Sequence, residues 1–293
     1  MKYIYYPGCS LEGTALEYNI STKSVLGALG VELVELDDWT CCGATAAEGT
    51  SHLLSFALPA RNIALAEKMK EDADILVPCS ACYLNLKRVE REIVMDPGLL
   101  KKINQVLETE DLALKGKRKT RHLLDVLSSD IPARDIASAV VRPLKGLRIA
   151  PYYGCQCLRP YAVFDDPEAP RSMEPILAAL GASVYDWDMG GKCCGASLMS
   201  TAPEAGIELV AGLLDAAQDA DAVVTVCPMC QMNLEAYQRR ASKMRKAHYD
   251  VPILYLPQLM GLAMGLPDEQ TRLDLNLCVP DGFRHKLPDL QPV

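Results

Sequence analysis

The sequence contains no long apolar segment and no excess of positive charge. Its best apolar stretch, Leu256 to Leu266, is shorter than the about 18 residues that a membrane-spanning helix needs, and it contains Pro257 and Gln258. Lys and Arg total 30 against 38 Asp and Glu, for a formal net charge of −8. Because nucleic-acid surfaces need clustered basic residues, the composition predicts neither a membrane span nor a nucleic-acid partner.

Several common catalytic and targeting motifs are also missing. The sequence has no GxGxxG after a strand, no P-loop and no GxSxG, so nucleotide binding and serine hydrolysis have no support. The four histidines are scattered, and a satisfied or surface role is favoured for each over metal ligation. Met1 and Lys2 lead directly into a strand-like segment rather than a secretory signal, which predicts a cytoplasmic protein.

Cysteine is abundant in contrast, with twelve residues in 293. The cytoplasm keeps thiols reduced, so this number indicates metal or redox chemistry rather than structural disulfides. Ten of the twelve follow one rule written twice, a single Cys, then Cys-Cys-Gly, then CxxC. The first copy is Cys9, Cys41, Cys42, Cys79 and Cys82, and the second is Cys155, Cys193, Cys194, Cys227 and Cys230.

The duplication extends beyond the cysteines. Asn85-Leu86 and Asn233-Leu234 lie at the same distance after their CxxC motifs, and matches at one offset of about 150 residues indicate a repeat. Strand-like and helix-like segments alternate, which predicts an α/β fold of two pseudo-symmetric domains, each a small parallel-type sheet with flanking helices. The predicted strands are 3–6, 31–36, 74–77, 147–152, 182–187 and 220–226, and the predicted helices are 14–29, 59–70, 82–89, 106–112, 123–127, 136–140, 173–180 and 203–217.

The predicted domains are 1–95 and 145–266. Residues 96–144 are predicted to be a helical connection and 267–293 a C-terminal tail. The basic run Lys115 to Arg121 is interpreted as a solvated linker, with docking to an acidic partner as the alternative. Cys9, Cys79, Cys155 and Cys227 each follow a predicted strand, at the sheet edge where ligands bind in α/β proteins.

Thiolates are soft ligands that select zinc or iron–sulfur clusters. A zinc site or an ordinary cubane takes four of them, so five per copy suggest either a spare thiol or a cluster of different shape. Free thiols and structural zinc remain the alternatives. Cys157 and Cys278 stand outside the pattern and are interpreted as small buried residues, although Cys157 is close enough to compete for the role of Cys155. Lys192 is a candidate for binding an anionic substrate group, with charge compensation of the thiolates as the alternative.

The duplicated pattern resembles the cysteine-rich CCG domain. Together with Tyr6-Pro7-Gly8-Cys9, Tyr153-Gly154-Cys155 and Arg159-Pro160, it resembles the B subunit of heterodisulfide reductase across nearly the whole chain. The resemblance implies that each cysteine quintet holds one noncubane [4Fe-4S] cluster and contributes to catalysis through it. One departure is Cys155-Gln156-Cys157, which adds a thiol beside an expected ligand.

The resemblance further implies a disulfide oxidoreductase of methanogenesis that cleaves the coenzyme M–coenzyme B mixed disulfide between the two clusters. The implied partners are two other proteins of the same complex, one ferredoxin-like and one flavin-containing, with hydrogenase or formate dehydrogenase subunits as further candidates. The alternative is an electron-transfer subunit of another complex, for lactate or glycolate oxidation, benzoyl-coenzyme A reduction or sulfur oxidation.

Overall fold

The computed structural model describes residues 1–44 and 46–287, and its strands form two parallel four-stranded sheets. The first sheet has the order β2-β1-β3-β4 and the second the order β6-β5-β7-β8. The identical order confirms the predicted duplicated α/β fold. The strands are β1 Lys2–Tyr5, β2 Glu32–Glu35, β3 Ile75–Val77, β4 Thr120–His122, β5 Arg148–Tyr152, β6 Ser183–Val184, β7 Ala222–Thr225 and β8 Ile253–Tyr255.

Helices cover both sheets. In the first half they are α1 Cys9–Glu12, α2 Leu16–Ala28, α3 Ala47–Thr50, α4 His52–Lys68, α5 Ser80–Met95, α6 Pro97–Leu107, α7 Leu123–Ser129 and α8 Ala133–Ala139. In the second half they are α9 Glu174–Ala179, α10 Pro203–Ala216, α11 Pro228–Ala236, α12 Gln238–Arg245, α13 Leu256–Ala263, α14 Asp268–Thr271 and α15 Asp281–Arg284. Short 3-10 helices lie at Glu108–Glu110, Ala196–Leu198 and Leu273–Leu275.

The central strands β3 and β7 are buried along their whole length, as expected for parallel strands covered on both faces. The two halves are joined by α13, which packs against α2. Val25 and Leu26 of α2 belong to the same hydrophobic core as Leu256, Leu259 and Met260 of α13. The two domains therefore share a core instead of being connected by a free linker.

Two helices begin well before their predicted starts because of local capping. The helix predicted over 59–70 begins at His52, where the Ser51 side chain accepts a hydrogen bond from the Leu54 amide, and Pro59 lies inside it. The helix predicted over 106–112 is replaced by α6, which begins at Pro97 and ends at Leu107. Asp96 caps α6 by accepting from the amides of Gly98 and Leu99 at 2.8 and 3.1 Å. Both predictions overlooked an N-terminal cap.

The connecting segment 96–144 contributes a strand to the first sheet. Strand β4 pairs in parallel with β3, with Ile75 opposite Thr120 and Val77 opposite His122. The linker prediction for Lys115 to Arg121 is therefore wrong at its end, which is in β4. Earlier in the run, the amides of Lys115 and Lys117 donate to Glu67 of the same chain.

The C-terminal part of the chain adds β8, which the sequence analysis did not predict, and then α13. The predicted tail 267–293 contains α14 and α15, while residues 288–293 lie outside the described residues. Within residues 1–44 and 46–287, no helix is both long enough and apolar enough to cross a membrane.

Candidate metal centres

The first cysteine quintet lies at the carboxyl ends of three neighbouring strands. Cys9 begins α1 just after β1, Cys41 and Cys42 are in the loop that follows β2, and Cys79 and Cys82 flank the start of α5 after β3. Because parallel strands end at the same edge of the sheet, these distant segments meet there.

Contacts between sulfur atoms link all five thiols of this quintet. The Sγ atoms of Cys9 and Cys41 are 3.9 Å apart. Hydrogen bonds from Cys41 and Cys82 lower the pKa of Cys42 to about 3. The hydrogen bond between Cys41 and Cys42 also raises the pKa of Cys41. Cys82 is also hydrogen-bonded to Cys79, and its two thiol contacts together with burial raise its pKa.

The second quintet is arranged in the same way. The Sγ atoms of Cys194 and Cys230 are 3.5 Å apart. A hydrogen bond from Cys155 lowers the pKa of Cys193 to about 6, and one from Cys230 lowers the pKa of Cys227 to about 7. The pKa of Cys155 is raised, mainly by its bond to Cys193 and by burial, with smaller effects of the charges of Cys194 and Cys227. All five thiols therefore lie together.

The glycine after each cysteine pair has a structural role. Gly43 and Gly195 adopt positive φ angles of 75° and 77°. Their amides point at the first thiol of the pair, with Gly43 N 3.4 Å from Cys41 Sγ and Gly195 N 3.3 Å from Cys193 Sγ. Glycine at these positions therefore lets the backbone turn so that an amide donor reaches a cysteine sulfur.

A second pair of glycines allows the backbone to approach the sulfur atoms closely. A Cβ atom on Gly8 would be 2.8 Å from Cys82 Sγ, and one on Gly154 would be 3.0 Å from Cys230 Sγ. Both residues have positive φ, 75° and 70°. In the sequence, the only sign of this role is the Gly-Cys dipeptide that occurs in both copies.

Asn85 and Asn233, noted in the sequence only as evidence of duplication, hold the two Cys-Cys-Gly loops. Asn85 Nδ2 donates to the carbonyl oxygen of Cys42 at 3.1 Å. Asn233 Nδ2 donates to the carbonyl oxygen of Cys194 at 2.7 Å. Each amide ties a loop to the helix that carries the CxxC motif.

Each quintet has a solvent-exposed side and a buried side. Cys9, Cys41 and Cys193 are exposed and Cys155 is half-buried, whereas the remaining pattern cysteines are buried. Solvent therefore reaches each quintet at these exposed cysteines.

The donor set fits a cluster of several metal atoms. Thiolates are the ligands that iron–sulfur clusters use, and each domain brings five thiols to the carboxyl ends of its strands.

The segments that precede Cys79 and Cys227 meet at one buried tyrosine between the domains. The hydroxyl of Tyr18 lies 3.1 Å from the carbonyl oxygens of both Pro78 and Val226, which immediately precede Cys79 and Cys227. The ring of Tyr18 stacks on that of Tyr255, with centroids 4.1 Å apart. One buried tyrosine thus joins the inner ligand segments of both domains. A shared substrate cavity between the quintets stays a prediction.

The remaining candidate residues have simple surroundings. Lys192 is exposed and lines a cavity of about 390 Å³ together with Arg171 and Trp187. Cys157 is buried, as predicted, and donates to the Tyr153 carbonyl at 3.2 Å. Cys278 is only half-buried and lies 3.2 Å from Asp250. A substrate contact of Lys192 stays a prediction.

Comparison with protein families matches the cysteine-rich CCG domain at residues 3–87 and again at 149–235. The chain belongs to the CCG-domain family. The duplicated family match agrees with the two sheets and the two quintets, and with the resemblance seen in the sequence.

Three curated relatives match over almost their full length. A protein from Wolinella succinogenes named 8-methylmenaquinol:fumarate reductase membrane anchor subunit is 36% identical, covering 94% of this chain and 96% of its own. A protein from Archaeoglobus profundus, named as similar to the B subunit of heterodisulfide reductase, is 30% identical, covering 92% and 93%. The B subunit of a ferredoxin/F420H2-dependent CoB-CoM heterodisulfide reductase from Methanosarcina acetivorans is 28% identical, covering 99% and 98%.

A solved structure supports the fold alone. The crystal structure of a hypothetical protein from Helicobacter pylori superposes with a TM-score of 0.77 at 16% identity, over 96% of this chain. This chain spans 52% of that protein.

Proposed function

We propose that this chain is the iron–sulfur subunit of a heterodisulfide reductase-type complex, with one [4Fe-4S] cluster, of noncubane type, in each domain. The first cluster would be held by Cys9, Cys41, Cys42, Cys79 and Cys82, and the second by Cys155, Cys193, Cys194, Cys227 and Cys230. The observation that carries the proposal is the convergence of five linked thiols in each domain.

When bound, the clusters would supply and accept single electrons. The chain's own residues would keep both sites in position. The amides of Gly43 and Gly195 donate to ligand thiols, and Tyr18 fixes the segments before Cys79 and Cys227 relative to each other. The exposed cysteines leave one side of each site open to a substrate or to an electron-donating partner.

The proposed reaction is the two-electron cleavage of the coenzyme M–coenzyme B disulfide to two thiols. The names of the Archaeoglobus and Methanosarcina relatives support it, as does the duplicated CCG pattern. The proposed partners are a ferredoxin-like protein and a flavin-containing protein of the same complex, with the complex in the cytoplasm. Lys192, exposed beside Cys193, is proposed to bind an anionic group of the substrate.

A second candidate is an electron relay that does not act on a disulfide. The name of the Wolinella relative, at 36% identity, supports this alternative. In a relay, the exposed edge of one site would receive electrons from a quinol-linked partner and the other would pass them on.

One set of measurements on anaerobically purified protein distinguishes the candidates. Iron, acid-labile sulfide and the electron paramagnetic resonance spectrum test for the clusters. Reduced viologen is then offered with the coenzyme M–coenzyme B disulfide, and free thiols are counted. Release of two thiols for every two electrons taken from reduced viologen supports the disulfide reductase. Oxidation of viologen when a quinone is the acceptor, with no thiols released from the disulfide, supports the relay.

Single-cysteine variants test the ligand assignment. Cys42→Ala is expected to remove iron from the first site only, and Cys194→Ala from the second only, because each loses a central ligand. Cys278→Ala is the matched control, since Cys278 lies outside the pattern, and it is expected to keep all its iron. Full iron retention in Cys42→Ala would contradict the assignment.

A further inference from the structure

One buried asparagine holds the residue that precedes the first cysteine pair. Asn62 lies on α4, and none of its surface is exposed to solvent. Its Oδ1 atom accepts a hydrogen bond from the amide of Thr40 at 2.9 Å, and its Nδ2 atom donates to the carbonyl oxygen of Thr40, also at 2.9 Å. That carbonyl group is part of the peptide bond to Cys41. Asn62 therefore binds the backbone on both sides of Thr40, directly before an expected ligand.

Two further contacts fix the orientation of the Asn62 amide. Its Nδ2 atom lies 3.3 Å from the carbonyl oxygen of Leu58 and 3.4 Å from the hydroxyl of Tyr6. The Tyr6 hydroxyl itself donates to the Thr40 carbonyl oxygen at 2.8 Å. Thr40 is therefore held by groups from α4 and from the end of β1, and displacing it would leave buried polar groups without partners, which is unfavourable.

Cys41 depends on this backbone support because its side chain is exposed. The other thiol of the pair, Cys42, is buried and belongs to the hydrophobic core, so packing restrains it. An exposed side chain lacks that restraint. Fixing the Thr40 backbone therefore limits how far the thiol of Cys41 can move.

The second domain has only part of this arrangement. Its equivalent tyrosine, Tyr152, donates at 2.8 Å to the carbonyl oxygen of Lys192, the residue before the second cysteine pair. The residue at the same distance before the CxxC motif as Asn62 is Val210, a buried apolar side chain on α10. The amide of Lys192 bonds to the carbonyl oxygen of Met189 in its own loop, at 3.1 Å. The asparagine is therefore a feature of the first site only.

We propose that Asn62 is a positioning residue that keeps the exposed ligand Cys41 in place and thereby slows the loss of iron from the first cluster. The inference rests on the proposed function, because it assumes a cluster bound through Cys41. Groups that hydrogen-bond around metal ligands keep those ligands in position, and their removal weakens metal binding. Asn62 acts in this way through the Thr40 backbone, without touching the cluster.

The test compares Asn62→Leu with Asn104→Leu in the full-length, cluster-loaded protein. Asn104 is a matched control in the connecting segment 96–144. It accepts from the amide of Leu114 at 2.8 Å and donates to the carbonyl oxygen of Leu114 at 3.1 Å, so the same substitution removes the same pair of bonds. An iron chelator is added anaerobically, and the loss of each cluster is followed by electron paramagnetic resonance. Cys194→Ala, which is expected to lack the second cluster, identifies the signal of the first.

A second variant, Asn62→Asp, tests the two hydrogen bonds themselves. A neutral carboxylic acid can accept from the Thr40 amide and donate to the Thr40 carbonyl oxygen, as asparagine does, whereas a carboxylate cannot donate. Burial raises the pKa of a carboxyl group, so the neutral form is expected at about pH 6 and the charged form at about pH 9. Among the described residues, Tyr6 is the only titratable group that hydrogen-bonds to Asn62, and burial raises its pKa further above this range.

Asn62→Leu is expected to lose iron from the first cluster about tenfold faster than the wild type at both pH values, with the second cluster unchanged. Asn62→Asp is expected to do so at the higher pH only, and Asn104→Leu is expected to match the wild type. If Asn62→Leu does not fold, Asn62→Asp decides, because its two clusters are compared in one molecule at both pH values.

Two results would overturn the inference while leaving the proposed function intact. One is a first cluster that is lost at the wild-type rate in the Asn62 variants. The other is an equal acceleration in Asn104→Leu, which would show that the effect follows general stability. A wild-type protein that binds no iron would overturn the proposed function itself.

Discussion

Replacing Gly8 with alanine tests whether the close approach of backbone to sulfur is needed for the first metal centre. Two effects are expected at this position. Gly8 has a left-handed φ of 75°, and a Cβ in this conformation lowers the free energy of unfolding by about 1–2 kcal/mol. Alanine also makes the unfolded chain stiffer, which offsets about 0.4–1 kcal/mol of this loss. The new Cβ would also lie 2.8 Å from Cys82 Sγ, so that this ligand must move, at about 1–3 kcal/mol for an overpacked site.

Gly30 provides a matched control that separates the two effects. Its φ is 72°, and a Cβ there meets nothing within 4 Å. Gly30→Ala is therefore expected to lose only the small backbone contribution to the free energy of unfolding and to keep all its iron. Gly8→Ala is expected to lose about 1–3 kcal/mol more and to lose the iron of the first site.

Two measurements decide the comparison. Urea unfolding of the reduced, iron-free variants gives the free energies of unfolding, and metal analysis of the anaerobically loaded variants gives the iron content. Equal destabilisation of Gly8→Ala and Gly30→Ala, with full iron in both, would refute the argument that Gly8 is required by the sulfur contact.

Three further predictions concern groups around the sites. Tyr18→Phe removes the single hydroxyl proton that is shared between the carbonyl oxygens of Pro78 and Val226, and it is expected to lower the free energy of unfolding by about 1–3 kcal/mol in urea. A loss below a few tenths of a kcal/mol would contradict the role of the hydroxyl. Asn85→Ala and Asn233→Ala each remove the hydrogen bond that holds one Cys-Cys-Gly loop. Each variant is expected to lose iron to a chelator faster from the site in its own domain only. Equal rates of iron loss from the two sites of either variant would contradict this prediction. Burial raises the pKa of Glu235 from 4.5 to about 7, so the folded state binds the proton more tightly and stability should fall as pH rises from about 4.5 to 7. Glu235→Gln should remove this part of the pH dependence in urea melts, and an unchanged slope would refute it.

The cysteine pattern predicted much of the candidate site because it is a local signal tied to strand ends. Cys79 follows an apolar run that was predicted to be a buried strand, and parallel sheets bring the ends of such strands together. The prediction that each quintet converges therefore needed no knowledge of the tertiary fold.

Short elements and the domain junction were harder to predict. Strand β4 is three residues long at the end of a basic run, and β8 is equally short, so neither has enough residues for a periodic pattern. His122 was predicted to have a satisfied or surface role, and it is fully buried between Ser80 and the ring of Phe164. Its contacts join residues far apart in sequence, which no local pattern encodes.

The fourth strand of each sheet lies beyond the CCG match of its own repeat, since β4 follows residue 87 and β8 follows residue 235. A fragment cut at the end of either match would uncover one flank of a fully buried strand, β3 or β7. Such bare apolar edges recruit other chains and aggregate. Attempts to express one repeat alone should therefore retain the chain through His122 or Tyr255.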